Sequence, residues 1–331
     1  MDEPLPVLVT ITSNPERLDQ IEKGVSAVSE ETGRPLSLTT CTDREEVLAA
    51  LPGVEVLLSY RLDPELFAAA SSLRWIHFGA AGVEHSLFPE LLDSEVLISA
   101  SKGIHGDVMA EFALMAILGL ATGLPLIAEA QHRKAWIGRQ LRPMHHSVVG
   151  RHLLVVGLGE VGLPAALLAA RMGMRVTGIR RTPPAGAIPD GLEAIHTLED
   201  LDELLPGADY LLLVVPSTEL TRDLLDEHRL RLLPGGAGIV NLARGNLIDE
   251  EALYRVLEDD HLRGVVLDSF VEEPLPEYSP LWHHPKVLVA PHISGNFDDY
   301  TRRVIDQFCE NLKRFILGEE LPFQIDRKSG Y

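Results

Sequence analysis

Short apolar runs alternate with stretches of helical character along most of the chain, and this alternation constrains the fold more than any other feature. From His152 onward the predicted strands are 152–156, 175–179, 209–215, 237–242, 264–267 and 287–290, and the predicted helices are 162–172, 198–204, 219–226 and 249–258. A weaker rhythm precedes them, with strands predicted at 7–13, 36–40, 54–59, 73–78 and 96–99 and helices at 15–30 and 64–70. Strands that alternate with helices form parallel sheets covered on both faces. Because 331 residues suffice for two cores, we predict an α/β protein with two doubly wound parallel-sheet domains.

Charge and composition exclude several classes of partner. A formal net charge of −20 argues against nucleic acid or an anionic membrane, because both require clustered Lys and Arg. The acidic N-terminus is unlike a secretory signal, and Cys41 and Cys309 form no CxxC motif, so we expect free thiols and a cytoplasmic protein. The apolar stretch 112–128 is interrupted by Gly123 and Pro125, and we predict a buried helix there instead of a membrane span.

The segment Gly157-Leu-Gly-Glu-Val-Gly162 directly follows a predicted strand and directly precedes a predicted helix. In this context G-x-G-x-x-G indicates a dinucleotide site, since glycines permit a tight turn, close approach of a pyrophosphate and close helix–strand packing. The helix N-terminus supplies N–H donors and a favourable dipole. We therefore predict a Rossmann-type cofactor site.

The end of the next strand indicates which dinucleotide binds. Sites specific for NAD place Asp or Glu there to hold the ribose 2′-hydroxyl, whereas this strand ends in Arg180-Arg181-Thr182. Guanidinium groups bind a 2′-phosphate through charge-assisted hydrogen bonds. The alternative is a solvated basic turn. We predict a preference for NADP(H), with NAD(H) as the alternative.

Three strings each place a chemically useful side chain after an apolar run. Asn-Leu-Ala-Arg-Gly, Glu-Glu-Pro and Ala-Pro-His-Ile-Ser-Gly carry Arg244, Glu273 and His292. The carboxyl ends of parallel strands are where such folds bind ligands. A guanidinium binds a carboxylate at any working pH, and an imidazole beside a carboxylate favours its protonated form. The set is therefore expected to hold a carboxylate substrate and to transfer a proton.

Together with their order and spacing, GLGEVG, NLARGNLIDEEAL, GVVLDSFVEEPLP and LWHHPKVLVAPHISG give the chain a resemblance to the D-isomer-specific 2-hydroxyacid dehydrogenase family. Within this family it resembles the glyoxylate/hydroxypyruvate reductases over essentially its whole length. The resemblance implies a flavodoxin-like substrate domain of residues 1–103 and 296–331. A Rossmann cofactor domain of residues 104–295 is inserted into it. It also implies a final helix at about 297–316 and a homodimer with the apolar helix in or near the interface.

The resemblance also assigns roles to individual residues. Arg244 would pair with the substrate carboxylate and polarise the keto oxygen, while His292 would donate the proton and Glu273 would orient it. The motif and the resemblance together predict cofactor contacts at Gly157, Leu158, Gly159, Glu160, Val161, Arg180, Arg181, Thr182, Val215, Pro216, Thr221, Leu242, Ala243, Asp268 and Gly295. Substrate contacts are predicted at Ala81, Gly82, Tyr60, Arg61, Arg244 and His292.

Some positions and functions stay open at this point. Trp136 resembles a tryptophan that reaches a partner's active site in some family members, Met109 would lie near the nicotinamide, and His105 has either a cleft or a hinge role. The doublets His145-His146 and His283-His284 lack ligand spacing, so we predict no metal. The predicted reaction is hydride transfer between NADP(H) and a small 2-keto acid, most specifically glyoxylate or hydroxypyruvate. The alternatives are a bulkier 2-keto acid and a dinucleotide-sensing binding protein, because a fold alone does not prove turnover.

Overall fold

A computed structural model describes residues 3–142, 144–182 and 186–327. The strands are β1 (Leu5–Val9), β2 (Leu36–Thr40), β3 (Val56–Ser59), β4 (Trp75–Phe78), β5 (Leu97–Ala100), β6 (His152–Val156), β7 (Arg175–Ile179), β8 (Ala194–His196), β9 (Tyr210–Leu213), β10 (Gly238–Asn241), β11 (Gly264–Leu267) and β12 (Val287–Val289). The α-helices are α1 (Pro15–Thr32), α2 (Arg44–Ala50), α3 (Pro64–Ala69), α4 (Pro89–Leu92), α5 (Gly106–Thr122), α6 (Leu124–His132), α7 (Gly138–Leu141), α8 (Gly162–Arg171), α9 (Leu201–Leu204), α10 (Glu227–Leu232), α11 (Glu250–Glu258) and α12 (Tyr300–Leu317).

The chain divides into two compact units. Unit 1 comprises Met1–Ile104 and Phe297–Tyr331, and unit 2 comprises His105–Asn296. Each boundary lies one residue beyond the expected one. Unit 2 is thus an insertion between the two chain segments of unit 1.

Unit 1 is built on a parallel sheet whose order among the described residues is β2-β1-β3-β4-β5. This is the flavodoxin-like order, with its switch point between β1 and β3. Apolar side chains of β1, β3 and β4 pack against α1 and α12 on one face and against a second buried cluster on the other. Asn14 begins α1 by accepting hydrogen bonds from the backbone N–H groups of Glu16 and Arg17. The strand β1 ends at Val9, earlier than the predicted residue 13.

Unit 2 contains a parallel sheet whose order in the described part is β12-β11-β10-β9-β6-β7-β8. Counted from β6, this is the Rossmann order extended by one strand, so the predicted fold class is confirmed. Two buried clusters cover its faces, one with α10 and α11 and the other with α5 and α8. Asp249 caps α11, since its carboxylate accepts from Ala252 N–H at 3.0 Å.

The single apolar helix predicted at 112–128 is wrong. Gly123 adopts φ +72 and ends α5, while Pro125 lies in the first turn of α6. Among the described residues no single helix has the length and apolar character to cross a bilayer; α5 and α6 meet those limits only as a pair, bent by 70°. The core-facing part is α5, whereas α6 leaves Leu124 and Ile127 partly exposed.

Two further differences concern short segments of unit 2. The helix predicted at 219–226 is absent, because the Thr221 hydroxyl binds the backbone of its own loop and Asp223 adopts φ +49. The helix starts instead at Glu227, after the N-cap Asp226. The short edge strand β8, only three residues long, was not predicted.

Candidate active site

The glycines of the loop after β6 serve different purposes. Gly157 adopts φ +106, and a Cβ there would lie 2.5 Å from the carbonyl oxygen of Val214. A Cβ on Gly162 would overlap the carbonyl oxygen of Gly157, so both positions require glycine for packing. A Cβ on Gly159 would meet no protein atom within 4 Å. Protein packing therefore does not explain the glycine at 159, whereas close approach of a ligand to the backbone does.

The rest of the loop packs against β7 on one side, and its other side is exposed. Leu158 lies over Gly178 of β7, where any Cβ would overlap its side chain, and its N–H donates to Ile179 at 3.2 Å. Gly159 and Glu160 are exposed, and Val161 precedes α8 without a side-chain cap. An uncapped helix N-terminus beside open glycine backbone suits a pyrophosphate. The residues present fit a dinucleotide.

Arg180, Arg181 and Thr182 follow β7 and are all exposed. The Arg180 N–H donates to the carbonyl of His196 at 3.0 Å, which continues the pairing of β7 with β8. The segment therefore lies where the ribose-binding carboxylate of an NAD-specific Rossmann site would stand, and none of its three side chains is acidic.

The loop after β9 contains the predicted contacts Val215, Pro216 and Thr221. Val215 is half-buried and Pro216 exposed, but Thr221 is only 8% exposed. The Thr221 hydroxyl donates to the Pro216 carbonyl at 2.8 Å and accepts from Thr218 N–H at 2.8 Å. The Thr221 hydroxyl therefore stabilises the conformation of its own loop. A direct contact between this hydroxyl and a cofactor stays a prediction.

The turn that carries Arg244 is fixed against its neighbour. Leu242 and Ala243 are buried, and Arg244 is half-buried in an extended conformation, with Nη1 donating to the Ala243 carbonyl at 2.8 Å. A Cβ on Gly245 would overlap the backbone of Phe270. This close approach brings the Arg244 turn directly against the segment that leads to Glu273.

His292 and Glu273 form the predicted pair. Nδ1 of His292 lies 2.8 Å from Oε2 of Glu273, and the other carboxylate oxygen accepts from the Phe270 N–H at 3.0 Å. The two side chains are 52% and 36% exposed. The carboxylate is thus fixed in place and orients the imidazole, while Nε2 is left for another partner.

Asp268 has a structural role that the sequence did not indicate. It is 2% exposed at the end of β11, and its carboxylate accepts from the N–H groups of Ile293 and Ser294 at 2.7 and 3.0 Å and from the Ser294 hydroxyl at 2.5 Å. These bonds hold the turn in which His292 adopts φ +53. The predicted cofactor contact of Asp268 stays a prediction beside this role.

The start of α5 lies against the same region of unit 2. A Cβ on Gly295 would lie 3.1 Å from Cδ2 of His105 and 3.7 Å from Sδ of Met109. His105 therefore packs on the backbone just after the His292 turn. Trp136 lies farther along the chain and is 99% exposed.

The loop after β4 of unit 1 carries Ala81 and Gly82 and packs against Tyr60. The Gly79 N–H donates to the Ser59 carbonyl at 2.9 Å, and its own carbonyl accepts from the Tyr300 hydroxyl at 2.6 Å. The Tyr60 ring stacks on Tyr300 at 6.4 Å, and burial raises the pKa of both phenols. This contact among Tyr60, Gly79 and Tyr300 was missed, because Tyr300 is separated from the other two by more than two hundred residues.

The remaining unit 1 candidates differ in exposure. Ala81 and Gly82 are half-buried, whereas Arg61 is exposed. In the described parts of unit 1 the Arg61 guanidinium makes no ion pair, while Arg44 nearby is held by Asp63 and Glu65. Arg61 is therefore available to a ligand in a way that Arg44 is not.

The described residues contain no group of three or more His, Cys, Asp or Glu side chains arranged to hold a metal ion. The glycine loop follows β6 and the His292 turn follows β12 of the same Rossmann sheet, an arrangement that is typical of dinucleotide-dependent dehydrogenases.

A family model supports a more specific assignment. Residues 114–294 match the D-isomer specific 2-hydroxyacid dehydrogenase, NAD binding domain. The chain belongs to the D-isomer specific 2-hydroxyacid dehydrogenase family, as its motifs indicated. Members are NAD(P)-dependent oxidoreductases that act on small 2-hydroxy or 2-keto acids.

Relatives and solved structures agree with this assignment. A glyoxylate reductase of Thermococcus onnurineus is 31% identical over 86% of each chain. A family member from Aeromonas salmonicida superposes with a TM-score of 0.82 at 29% identity, over 98% of this chain and 100% of the other. An NADPH-dependent glyoxylate/hydroxypyruvate reductase of Sinorhizobium meliloti, solved with NADP and sulfate, gives a TM-score of 0.81 at 25% identity, over 98% and 99%. Other relatives at 29% identity are named D-3-phosphoglycerate dehydrogenase and (S)-sulfolactate dehydrogenase, so the names alone do not determine the substrate.

Proposed function

We propose that the protein is an NADPH-dependent reductase of small 2-keto acids, with glyoxylate or hydroxypyruvate as substrate and a D-2-hydroxy acid as product where the product is chiral. The observation that supports this best is the Glu273–His292 pair, with Nδ1 and Oε2 2.8 Å apart, on a turn held by a buried aspartate. Such an arrangement orients an imidazole for proton transfer.

The reaction assigns one task to each side chain. Bound NADPH supplies a hydride to the carbonyl carbon of the substrate. Arg244 binds the substrate carboxylate through its planar guanidinium, whose fork of donors matches a carboxylate. His292 donates a proton from Nε2 to the carbonyl oxygen of the substrate. Its Nδ1–H keeps the hydrogen bond to the Glu273 carboxylate, and this bond holds the orientation of the ring. Ala81, Gly82, Tyr60 and Arg61 of unit 1 are proposed as further substrate contacts, as the family resemblance implies.

The preference for NADP(H) is supported by the residues after β7. Arg180, Arg181 and Thr182 are exposed there. Guanidinium and hydroxyl donors suit the 2′-phosphate of NADP(H) better than the carboxylate of an NAD-specific site would. The Sinorhizobium reductase, 25% identical, was solved with NADP.

A homodimer is proposed from exposed apolar side chains of unit 2. Met115 and Ile127 are each 39% exposed on α5 and α6, Leu124 is 38% exposed, and Trp136 is 99% exposed. Large apolar side chains exposed in one stretch of the chain are expected at an interface. Light scattering should give a dimer mass that Trp136→Arg reduces toward the monomer. A monomeric native protein would contradict this.

The decisive experiment is a 2-keto acid panel with both cofactors, followed by the fall in NAD(P)H absorbance. Glyoxylate, hydroxypyruvate, pyruvate and bulkier aliphatic and aromatic acids should be compared by kcat/KM. Highest activity on glyoxylate or hydroxypyruvate with NADPH supports the proposal. Preference for a bulkier acid would change the substrate class. NADPH binding without turnover of any acid would indicate a dinucleotide sensor.

A further inference from the structure

Asn241 is a buried polar residue whose amide spans the turn that carries Arg244. It ends β10, is 1% exposed, and has no predicted contact with substrate or cofactor. Its Nδ2 donates to the Arg244 carbonyl at 2.9 Å, and its Oδ1 accepts from the Ala243 N–H at 3.0 Å. A single planar amide thus holds the backbone on both sides of the peptide bond between residues 243 and 244.

The backbone of Asn241 also connects this turn with the turn of His292. Its carbonyl accepts from the Asp268 N–H at 3.0 Å, and the Asp268 carboxylate in turn holds Ile293 and Ser294. Asn241 therefore lies at the point where the supports of the two turns meet. A displacement of its side chain would release the Arg244 turn without removing any group that contacts a ligand.

We infer that Asn241 is a positioning residue that fixes Arg244 for binding the substrate carboxylate. The inference rests on the proposed function, since it takes Arg244 to be the carboxylate-binding group. The planar amide of Asn241 supplies the donor and the acceptor that this turn uses from two separate atoms. A carboxylate keeps the acceptor and loses the donor, and a serine hydroxyl is too short to span both partners. Because the site is buried, a backbone group that loses its hydrogen bond to residue 241 does not gain one to bulk water.

The test is a double-mutant cycle between Asn241→Asp and Arg244→Ala, measured with the preferred 2-keto acid and NADPH. Asn241→Asp is nearly isosteric and should lower kcat/KM by roughly 10- to 100-fold, because small displacements of a substrate-positioning group have effects of this size. It should weaken binding of oxamate, a 2-keto acid analogue, by a similar factor and leave the Kd of NADPH within about threefold. In the Arg244→Ala background the same substitution should cost less than about threefold, since the group that it positions is already gone.

Asn311→Asp is the matched control. Asn311 is also 1% exposed, but it lies on α12 in unit 1, so its replacement tests the effect of a buried carboxylate in itself. We expect Asn311→Asp to lower the melting temperature and to leave kcat/KM near its native value. Asn241→Ser is a second substitution at the same site, and its kcat/KM should fall in the same way. It replaces Asn241→Asp in the test if that variant does not fold.

Additive losses in the cycle would overturn the inference, because they would assign Asn241 a general structural role. Native kcat/KM in folded Asn241→Asp or Asn241→Ser would overturn it as well. If Arg244→Ala itself has native kcat/KM, the proposed role of Arg244 fails and the inference fails with it. If Arg244→Ala is inactive while both Asn241 variants are native, the proposed function stands and only the inference is wrong.

Discussion

Two glycines of the loop after β6 allow the cofactor site to be tested separately from the fold. Gly159→Ala adds a methyl group where no protein atom lies within 4 Å, whereas Gly162→Ala places it on the carbonyl oxygen of Gly157. The two substitutions are chemically identical and lie three residues apart. They should nevertheless have opposite consequences, because one glycine is required by packing and the other by the ligand.

The stability effects follow from these surroundings. Gly162 is buried at the first position of α8, and the atom that it would strike belongs to the backbone and cannot rotate away. Overpacking of this kind costs about 1–3 kcal/mol, and we expect the upper end here. For a unit of 150–250 residues, about 3 kcal/mol lowers the melting temperature by roughly 6–12 °C. Gly159 has no positive φ, so Gly159→Ala should change stability by less than about 1 kcal/mol, with a slight gain from reduced chain entropy.

Cofactor affinity should show the reverse order. The methyl group of Gly159→Ala would stand between the backbone and a pyrophosphate, and we expect the Kd of NADPH to rise about tenfold or more, or about 1.4 kcal/mol. Thermal unfolding by circular dichroism and NADPH titration by fluorescence measure the two effects on the same samples. Native NADPH affinity in stable Gly159→Ala would refute the assignment of this loop as the pyrophosphate site. Equal destabilisation by both substitutions would refute the packing argument.

Four further substitutions test other parts of the molecule. Asp268→Asn replaces one charge-assisted acceptor of the His292 turn, so it should lower the free energy of unfolding by about 2–3 kcal/mol and kcat by roughly 100-fold. The N-cap change Asp249→Asn is the control and should have neither effect, and native kcat in Asp268→Asn would contradict the positioning role. His292→Ala should reduce kcat about 10²- to 10⁴-fold at unchanged NADPH affinity, and near-native turnover in steady-state assays would remove it from the mechanism. Arg180→Asp should shift the ratio of kcat/KM from NADPH toward NADH, and a native enzyme that prefers NADH would overturn the cofactor proposal. Burial lowers the pKa of His77 to about 3, so below pH 6.5 the unfolded chain binds a proton that the folded chain does not bind. Between pH 7.5 and pH 5, the free energy of unfolding measured in urea should fall by about 2 kcal/mol more for the native protein than for His77→Gln, and equal losses would disprove this.

The sequence predicted best those features that depend on neighbouring residues. The strands at 152–156, 175–179 and 264–267 have the predicted bounds, because continuous apolar runs between turn residues identify buried parallel strands. The contact between Glu273 and His292 was also predicted, since both follow strands that reach the same edge of one sheet. Local signals that compete were harder to weigh. A glycine and a proline divided the apolar stretch at residue 123, and the Thr221 hydroxyl replaced a predicted helix with a turn.

Contacts between distant residues could not be predicted in the same way. The Asp268 carboxylate binds a turn 25 residues further on, and Tyr300 binds Gly79 across 221 residues. A single aspartate or asparagine at a strand end is equally compatible with a ligand contact and with support of a neighbouring turn. Their burial and their hydrogen bonds show the supporting role, which the sequence alone does not show. Asp268 and Asn241 are 2% and 1% exposed, and their side-chain partners are backbone groups together with one serine hydroxyl.

The arrangement of these supports explains how separate strand ends bring the candidate catalytic side chains together. Arg244 follows β10 and is held by the last residue of that strand, whereas His292 follows β12 and is held by Asp268 at the end of β11. Because β10, β11 and β12 are hydrogen-bonded in that order, the spacing between the two turns is set by the sheet itself. Glu273 is the exception, since it lies on a loop and depends on the Phe270 N–H and on the close approach of Gly245. Substitutions in the Glu273 loop should therefore disturb the orientation of His292, whereas substitutions beneath the strand ends should disturb its position.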